Sequence, residues 1–159
     1  MTFFPTSIFV TLFLSFSIAL SQSQNNVLQI NDATDTRITK ITYSSSGGRG
    51  GYYVNLDITS TSTVYVQGNA ETSKTIKEKT SKTYWNSLTK ALNLRDFDQV
   101  KSDPGHSMYD GIDITITVVS RGKTHTLVNG STDMKQYIRI NGFTDLLEKK
   151  LASLRERIK

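Results

Sequence analysis

The sequence predicts an α+β fold, in which an antiparallel sheet of about five to six strands packs against two helices on one of its faces. Several segments between Thr39 and Asn129 alternate apolar and polar residues with a period of two, as strands with one buried face do. Around Trp85, and again from Phe143 to Ile158, apolar residues instead recur at intervals of three and four, which is typical of amphipathic helices. Strands grouped in this order, with helices after them, favour a two-layer sandwich.

The first strands are predicted in the segment that follows residue 38. Residues 39–43 alternate, and after a glycine-rich stretch Tyr52, Val54, Leu56 and Ile58 share one face of a strand. Val64 and Val66 are expected to continue this buried face in the next strand. Residues 72–79 carry lysines and almost no apolar side chains, so they are predicted to be an edge strand protected against pairing with another chain.

The first helix is predicted to begin at Ser81 as N-cap, with one apolar stripe facing the sheet, and to end at Asn93 in a left-handed conformation. Residues 94–110 are expected to form a long loop anchored by Phe97 and Val100. Two strands joined by a turn at residues 121–122 follow, then a short strand at residues 137–140 and the C-terminal helix. The helical stripes consist of Trp85, Leu88 and Leu92, and of Phe143, Leu147, Leu151, Leu154 and Ile158.

Residues 1–21 are predicted to be a signal peptide. The run from Phe3 to Leu20 carries no charged side chain, and Ala19 and Ser21 are small residues at the positions that a signal peptidase reads. An uncleaved membrane anchor is the alternative, but a run of about 18 residues is at the lower limit for spanning a bilayer. We therefore expect a secreted or periplasmic protein that meets the membrane only through this segment, if it stays uncleaved.

After the signal, residues 22–36 are predicted to be a polar, flexible lead, and residues 37–159 a single α+β domain. The chain has no cysteine, which excludes disulfides, thiolate metal sites and thiol nucleophiles. Its formal net charge of +5 is dispersed along the chain. Such a charge suits solubility, and it can also favour anionic surfaces such as polysaccharide, lipid headgroups or an acidic partner.

A set of short motifs resembles uncharacterised small exported proteins of the Bacteroidota, over roughly residues 38–130. The resemblance implies a bacterial envelope or extracellular setting, and it brings no established activity with it. The residues that carry it are Ser45, Ser46, Arg49, Gly50, Trp85, Leu88, Asp110, Gly111, Asn129 and Gly130.

Three features could carry ligand chemistry. Residues 44–51, with Arg49, could cradle an anion or could simply form a hairpin loop, since glycines supply positive φ. Asp103, Asp110 and Asp113 offer oxygen ligands, but their spacing departs from that of an EF-hand loop. The two imidazoles, one of them in a predicted strand at residue 125, lack the further ligands that zinc needs. No metal site and no cofactor is therefore predicted.

The sequence favours a noncatalytic binding or interaction module over an enzyme. Its surface is expected to include the outer face of the sheet and the loops 44–52 and 101–111, with tyrosines, Tyr65 and Tyr84 among them, supplying aromatic contact area. The partner is expected to be an envelope or extracellular protein or polysaccharide, not a nucleic acid. The candidate ligand-binding residues are Arg49, Tyr52, Tyr53, His106, Tyr109 and Asp110.

A cell-envelope hydrolase acting on glycan or peptide is the alternative function. It would require His106, Asp110 and Asp113 to converge in one cleft. A pocket joining these three side chains would favour the enzyme, whereas an open surface would favour binding.

Overall fold

The computed structural model describes residues 37–105 and 111–158. These residues belong to the second of two units into which the chain divides, Ala33–Lys159. They form a six-stranded antiparallel sheet with helices packed on it, so the predicted α+β fold is confirmed.

The sheet has the strand order β4-β3-β2-β1-β5-β6, and every neighbouring pair is antiparallel. The lysine-rich β4 lies at one edge, as predicted, and β6 lies at the other. The strands are β1 (Ile38–Gly47), β2 (Tyr52–Thr59), β3 (Ser62–Gly68), β4 (Ser73–Lys79), β5 (Ile112–Ser120) and β6 (Lys123–Val128).

The described helices follow β4 and β6. Ser81 caps the first of them as predicted, because its hydroxyl accepts the backbone N–H of Tyr84 at 3.1 Å. Short 3₁₀ turns, Gly130–Thr132 and Ile138–Ile140, flank the third helix. The helices are α1 (Lys82–Ala91), α2 (Leu94–Gln99), α3 (Met134–Tyr137) and α4 (Asn141–Ile158).

The two faces of the sheet differ in chemistry, as the alternation in β2 predicted. One face, here called the helix side, buries Val54, Leu56 and Ile58 beneath the helices. The other face, here called the open side, carries polar pairs. On it, Asp57 accepts a hydrogen bond from Thr42 at 2.8 Å and pairs with Lys40 at 3.0 Å.

The core lies between the helix side of the sheet and the helices. Phe97 of α2 and Phe143 of α4 meet edge to face with ring centroids 6.2 Å apart, a favoured arrangement of aromatic rings. Leu88, Leu147 and Leu151 are buried in the same cluster, as their helical spacing predicted. Trp85 packs at the border of the core and is half-buried.

The prediction of which residues of β3 face the helices was wrong. Thr63 and Tyr65 are buried on the helix side, whereas Val64 and Val66 lie on the open side. The hairpin between β2 and β3 sets this register, because it pairs Ile58 with Thr63. A shift of one residue exchanges the two faces of a strand.

Two further predictions were wrong, and both missed helices. Asn93 does not end α1 in a left-handed conformation: its φ is −98° and its side chain caps α2 by accepting the N–H groups of Arg95 and Asp96. Residues 94–99 are therefore helical within the predicted loop, although Phe97 and Val100 are buried anchors as expected. Residues 137–140 continue from α3 into a 3₁₀ turn and are not a strand.

Within the part of the chain that the structure describes, no helix is both long enough and apolar enough to cross a membrane.

Candidate functional site

The helices leave one end of the helix side uncovered. Along β5 the inward-facing residues are buried from Ile116 onward, but Ile114 is 36% exposed and Ile112 is 49% exposed. On β2 the equivalent end residue, Tyr52, is 39% exposed. Tyr52 and Ile112 lie at the same end because both are paired with Gly47 of β1. We call these three exposed residues, Tyr52, Ile112 and Ile114, the shelf.

A pocket opens beside the shelf, between the sheet and α3–α4. Its volume is about 130 Å³. Apolar side chains from β1, β5, β6 and α4 make up most of the wall, and Glu148 lies at its exposed rim. The lining includes Tyr43, Ile114, Leu127, Ser131, Tyr137 and Leu147.

Arg155 of α4 joins the helix to the tyrosines beside this pocket. Its guanidinium interacts electrostatically with the hydroxyls of Tyr43 and Tyr65, and the Tyr65 hydroxyl donates a hydrogen bond to Gln67 at 2.6 Å. Burial raises the pKa of Tyr43 and of Tyr65 above 10.0, although the positive charge of Arg155 partly opposes the rise. Both tyrosines therefore remain neutral hydroxyls at physiological pH.

The negative charge of Glu148 acts on Tyr43 in the opposite sense to Arg155, and it also acts on Tyr137. Burial, together with the negative charge of Glu148, raises the pKa of Tyr137 on the far wall of the pocket. The same carboxylate also raises the pKa of Tyr43. Glu148 and Arg155 therefore place one negative and one positive charge along the side of α4 that faces this end of the sheet.

Asn129 fixes the wall of the pocket that β5 and β6 form. It is buried, it has a left-handed backbone with φ 49°, and its side-chain oxygen accepts the N–H of Ile114 at 2.7 Å. Its amide nitrogen donates to the Asp103 carbonyl and to the Asp113 carboxylate, each at 2.7 Å. One side chain thus holds β5, the end of β6 and the segment around Asp103 together.

A second polar network lies at the opposite end of β5. The His125 ring is 2.6 Å from Asp98 through Nδ1 and 3.3 Å from the Ser120 hydroxyl through Nε2. This order of groups is that of an acyl-transfer triad. Ser120 is only 5% exposed, however, and its hydroxyl also lies 3.3 Å from the carbonyl of Lys123. The network fastens α2 onto the β5–β6 hairpin.

The three predicted ligand residues that the structure describes lie in different parts of the surface. Tyr52 belongs to the shelf, Tyr53 lies half-buried on the open side, and Arg49 is exposed in the β1–β2 loop. His106, Tyr109 and Asp110 lie outside the described residues. Of the three residues of the alternative hydrolase site, the structure describes Asp113, whose carboxylate accepts a hydrogen bond from the Asn129 side chain.

Two tyrosines that were expected to offer contact area are engaged in packing. Tyr65 is fully buried, so the expectation that its ring is a recognition surface was wrong. Tyr84 is half-buried, and its hydroxyl donates to the Leu146 carbonyl at 3.3 Å. The Lys150 ammonium lies 5.5 Å above its ring.

The glycine-rich stretch forms a tight hairpin loop. Gly47, Gly48, Gly50 and Gly51 all have positive φ. The N–H of Gly48 donates to Gly111, and that of Gly51 donates to Gly48. These two N–H groups are already used within the fold, so the anion-cradle interpretation gains no support from them.

Among residues 37–105 and 111–158, no group of three or more His, Asp or Glu side chains is arranged to hold a metal ion.

The exposure of Ile112 and Ile114, the pocket, and the position of Arg155 beside the tyrosines were not predicted from the sequence. The alternation of β5 predicted that Ile112 and Ile114 would be buried, because sequence alone does not say where α4 stops covering the sheet. A usable signal did exist in Tyr137, Ile140, Thr144 and Leu147. Their spacing of three, four and three continues the stripe of α4 backward and would have placed α3 over β5.

No protein-family model matches the chain, and a search of curated proteins finds no significant match. The resemblance to exported Bacteroidota proteins stays a prediction.

Proposed function

We propose that this chain is an exported, noncatalytic binding module whose ligand occupies the shelf and the adjoining pocket. The observation that carries the proposal is the exposure of Tyr52, Ile112 and Ile114 on a sheet face that is elsewhere buried beneath helices. Apolar side chains at this density, beside a pocket with a few polar groups, are typical of ligand sites. The uncharged leader at residues 3–20 supports export.

The site is better suited to binding than to chemistry. The titratable groups that line or border the pocket, apart from Glu148 and Arg155, are tyrosines whose pKa burial raises, so they do not supply a base near neutral pH. Their hydroxyls, with that of Ser131, can donate and accept hydrogen bonds. Such an arrangement can orient a ligand without transforming it.

The test is ligand-observed NMR on the chain without residues 1–21, using saturation transfer to envelope polysaccharide fractions and to a soluble peptide library. The double substitution Tyr52→Ala and Ile114→Lys changes two exposed residues of the shelf. We expect at least one fraction to show transfer from the native chain, to lose most of it with the double variant, and to remain chemically unchanged after hours of incubation.

Two results would contradict the proposal. Transfer that persists in the double variant would place the ligand elsewhere, and consumption of the ligand would identify an enzyme. Circular dichroism of the double variant, compared with the native chain, distinguishes a lost site from a lost fold.

The hydrolase is the second candidate function, and the Asp98–His125–Ser120 network is the observation that favours it. Burial of the Ser120 hydroxyl weighs against it, since a nucleophile must reach its substrate. A fluorophosphonate probe should therefore leave Ser120 unlabelled, as judged by peptide mass spectrometry. Stoichiometric labelling that disappears in Ser120→Ala would establish the hydrolase instead.

A further inference from the structure

We propose, building on the binding function above, that the ligand is an extended peptide segment of a partner protein. One aromatic or branched aliphatic side chain of the peptide fills the pocket, and a peptide carboxylate about three residues away binds Arg155.

The size and lining of the pocket favour a single apolar side chain. A cavity of about 150 Å³ holds one benzene ring, and this pocket measures about 130 Å³. Ile116, Leu127 and Leu147 on its walls offer no hydrogen bonds to sugar hydroxyls. A sugar ring packed against these three side chains would leave the hydroxyls on that side unpaired, which is costly, whereas a phenyl or isobutyl group has no hydroxyl to pair.

The apolar surface of the pocket walls continues outside the pocket onto the shelf. Ile112 and Ile114 of β5 present aliphatic surface at the same end of the sheet as Tyr52 of β2, with Gly47 of β1 between the two strands. Protein interfaces combine a few well-packed anchor residues with surrounding contacts that exclude water, and their cores are rich in aromatic and apolar side chains. A peptide backbone lying across the shelf would supply that arrangement, with its anchor side chain pointing into the pocket.

The charges on α4 set the position of the carboxylate. Glu148 and Arg155 are seven residues apart, which corresponds to about 10 Å along a helix. Three residues of an extended chain span roughly the same distance. Glu148 at the pocket rim disfavours an acidic residue next to the anchor. Arg155 is exposed on α4, and a guanidinium has five N–H donors with which to bind a carboxylate.

The probe is a fluorescein-labelled peptide of Gly and Ser residues with one Phe and one Asp three positions apart, made in both chain directions and titrated by fluorescence anisotropy. The comparison peptides replace Phe by Ala, replace Asp by Lys, or move Asp next to Phe. We expect one direction of the parent peptide to bind, and each of the three changes to weaken its binding by about tenfold or more, because each one removes an anchor or a charge pair.

Arg155→Glu on the protein should reverse the preference, so that the Lys peptide binds more tightly than the Asp peptide. Lys149→Glu changes the net charge by the same amount from an exposed neighbour of Glu148, and it should leave the preference for Asp intact. Ser131→Trp at the exposed pocket mouth should weaken the parent peptide about tenfold. If that variant fails to fold, Ile114→Lys, which changes a shelf residue that also lines the pocket, should weaken the parent peptide in the same way.

The outcomes separate this inference from the proposed function. The inference would be overturned if peptide binding did not depend on the Phe side chain. It would also be overturned if Lys149→Glu altered the preference for Asp as much as Arg155→Glu does. Failure of all the peptides, together with shelf-dependent binding of an envelope polysaccharide, would overturn the inference and leave the proposed function standing. Failure of every probe to show dependence on the shelf would overturn both.

Discussion

At Asn129 one side chain in a left-handed backbone satisfies three polar groups of two other segments, β5 and the stretch around Asp103. Asn129→Ala removes all three hydrogen bonds, leaves the partly buried N–H of Ile114 without its partner, and forces a Cβ-bearing, non-Asn residue to keep positive φ. We expect the free energy of unfolding to fall by about 2–4 kcal/mol. Urea denaturation followed by circular dichroism measures it.

Asn129→Gly is the matched control, because glycine tolerates the left-handed backbone but brings no side chain. It should be more stable than the alanine variant by about 1 kcal/mol and still less stable than the native chain. Equal stability of the glycine variant and the native chain would show that the three hydrogen bonds contribute nothing net.

Gly47 lies where β1 approaches the start of β5. A Cβ built on it would be 2.2 Å from the carbonyl oxygen of Gly111, and its φ of 136° is unfavourable for other residues. Gly47→Ala must therefore move backbone beside the shelf, and we expect a loss of about 2–4 kcal/mol of stability, measured by urea denaturation.

Two other glycines separate the causes of that loss. Gly122 has φ 88° and open space around it, so Gly122→Ala should cost about 1 kcal/mol from backbone strain alone. Gly142 lies in α4 with open space and no positive φ, so Gly142→Ala should stabilise the chain by about 0.5–1 kcal/mol. If Gly47→Ala were no worse than Gly122→Ala, the contact with Gly111 would be unimportant.

Between elements, the edge strand β4 is fastened to α4 by Glu78. Its carboxylate pairs with Lys150 and with Arg157, both at 2.5 Å. The hydrogen bond from Lys150, reinforced by Arg157, lowers the pKa of Glu78 below 4.5, and partial burial opposes this. A carboxyl whose pKa is lower in the folded state contributes stability above its unfolded pKa and loses that contribution as the pH falls through the folded pKa.

Glu78→Gln should therefore reduce the free energy of unfolding by about 1 kcal/mol at pH 7, where the ion pairs are intact. The difference from the native chain should shrink as the pH falls below about 4.5, and it should be absent once both forms are neutral. Urea denaturation from pH 7 down to pH 3 measures it. Glu71→Gln, an exposed carboxylate in the β3–β4 turn, is the control; a difference independent of pH would exclude this mechanism.

The elements that sequence predicted correctly are those in which one periodicity dominates. β2 and α4 alternate or repeat without ambiguity, whereas β3 reads Thr-Val-Tyr-Val and offers apolar residues of either parity. There the hairpin that pairs Ile58 with Thr63 decides the face, and a loop length cannot be obtained from alternation. The short α2 was hidden because Asn93 can serve equally as a helix end or as a helix start.

The candidate site was less predictable than the fold because it depends on where packing ends. Tyr52 could be proposed as an exposed aromatic residue, but the exposure of Ile112 and Ile114 follows from the place where α4 leaves the sheet. Arg155 lies in the last turn of α4, where sequence alone indicates only a favourable charge at the helix end, whereas the tertiary fold brings it to Tyr43 and Tyr65. Contacts of this kind between a helix and the sheet are set by topology and cannot be found from a local pattern.

At the scale of the whole molecule, the described core is built from residues between Ile38 and Ile158, and its buried members form one cluster. A single cluster without disulfides predicts one cooperative unfolding transition. If residues 22–36 add no core contacts, a chain of residues 37–159 should unfold at the same temperature as residues 22–159, within about 2 °C, when both are followed by circular dichroism. A drop of more than about 5 °C, which for a domain of this size corresponds to at least 1 kcal/mol, would mean that the polar lead packs against the domain and that the boundary at residue 37 is misplaced.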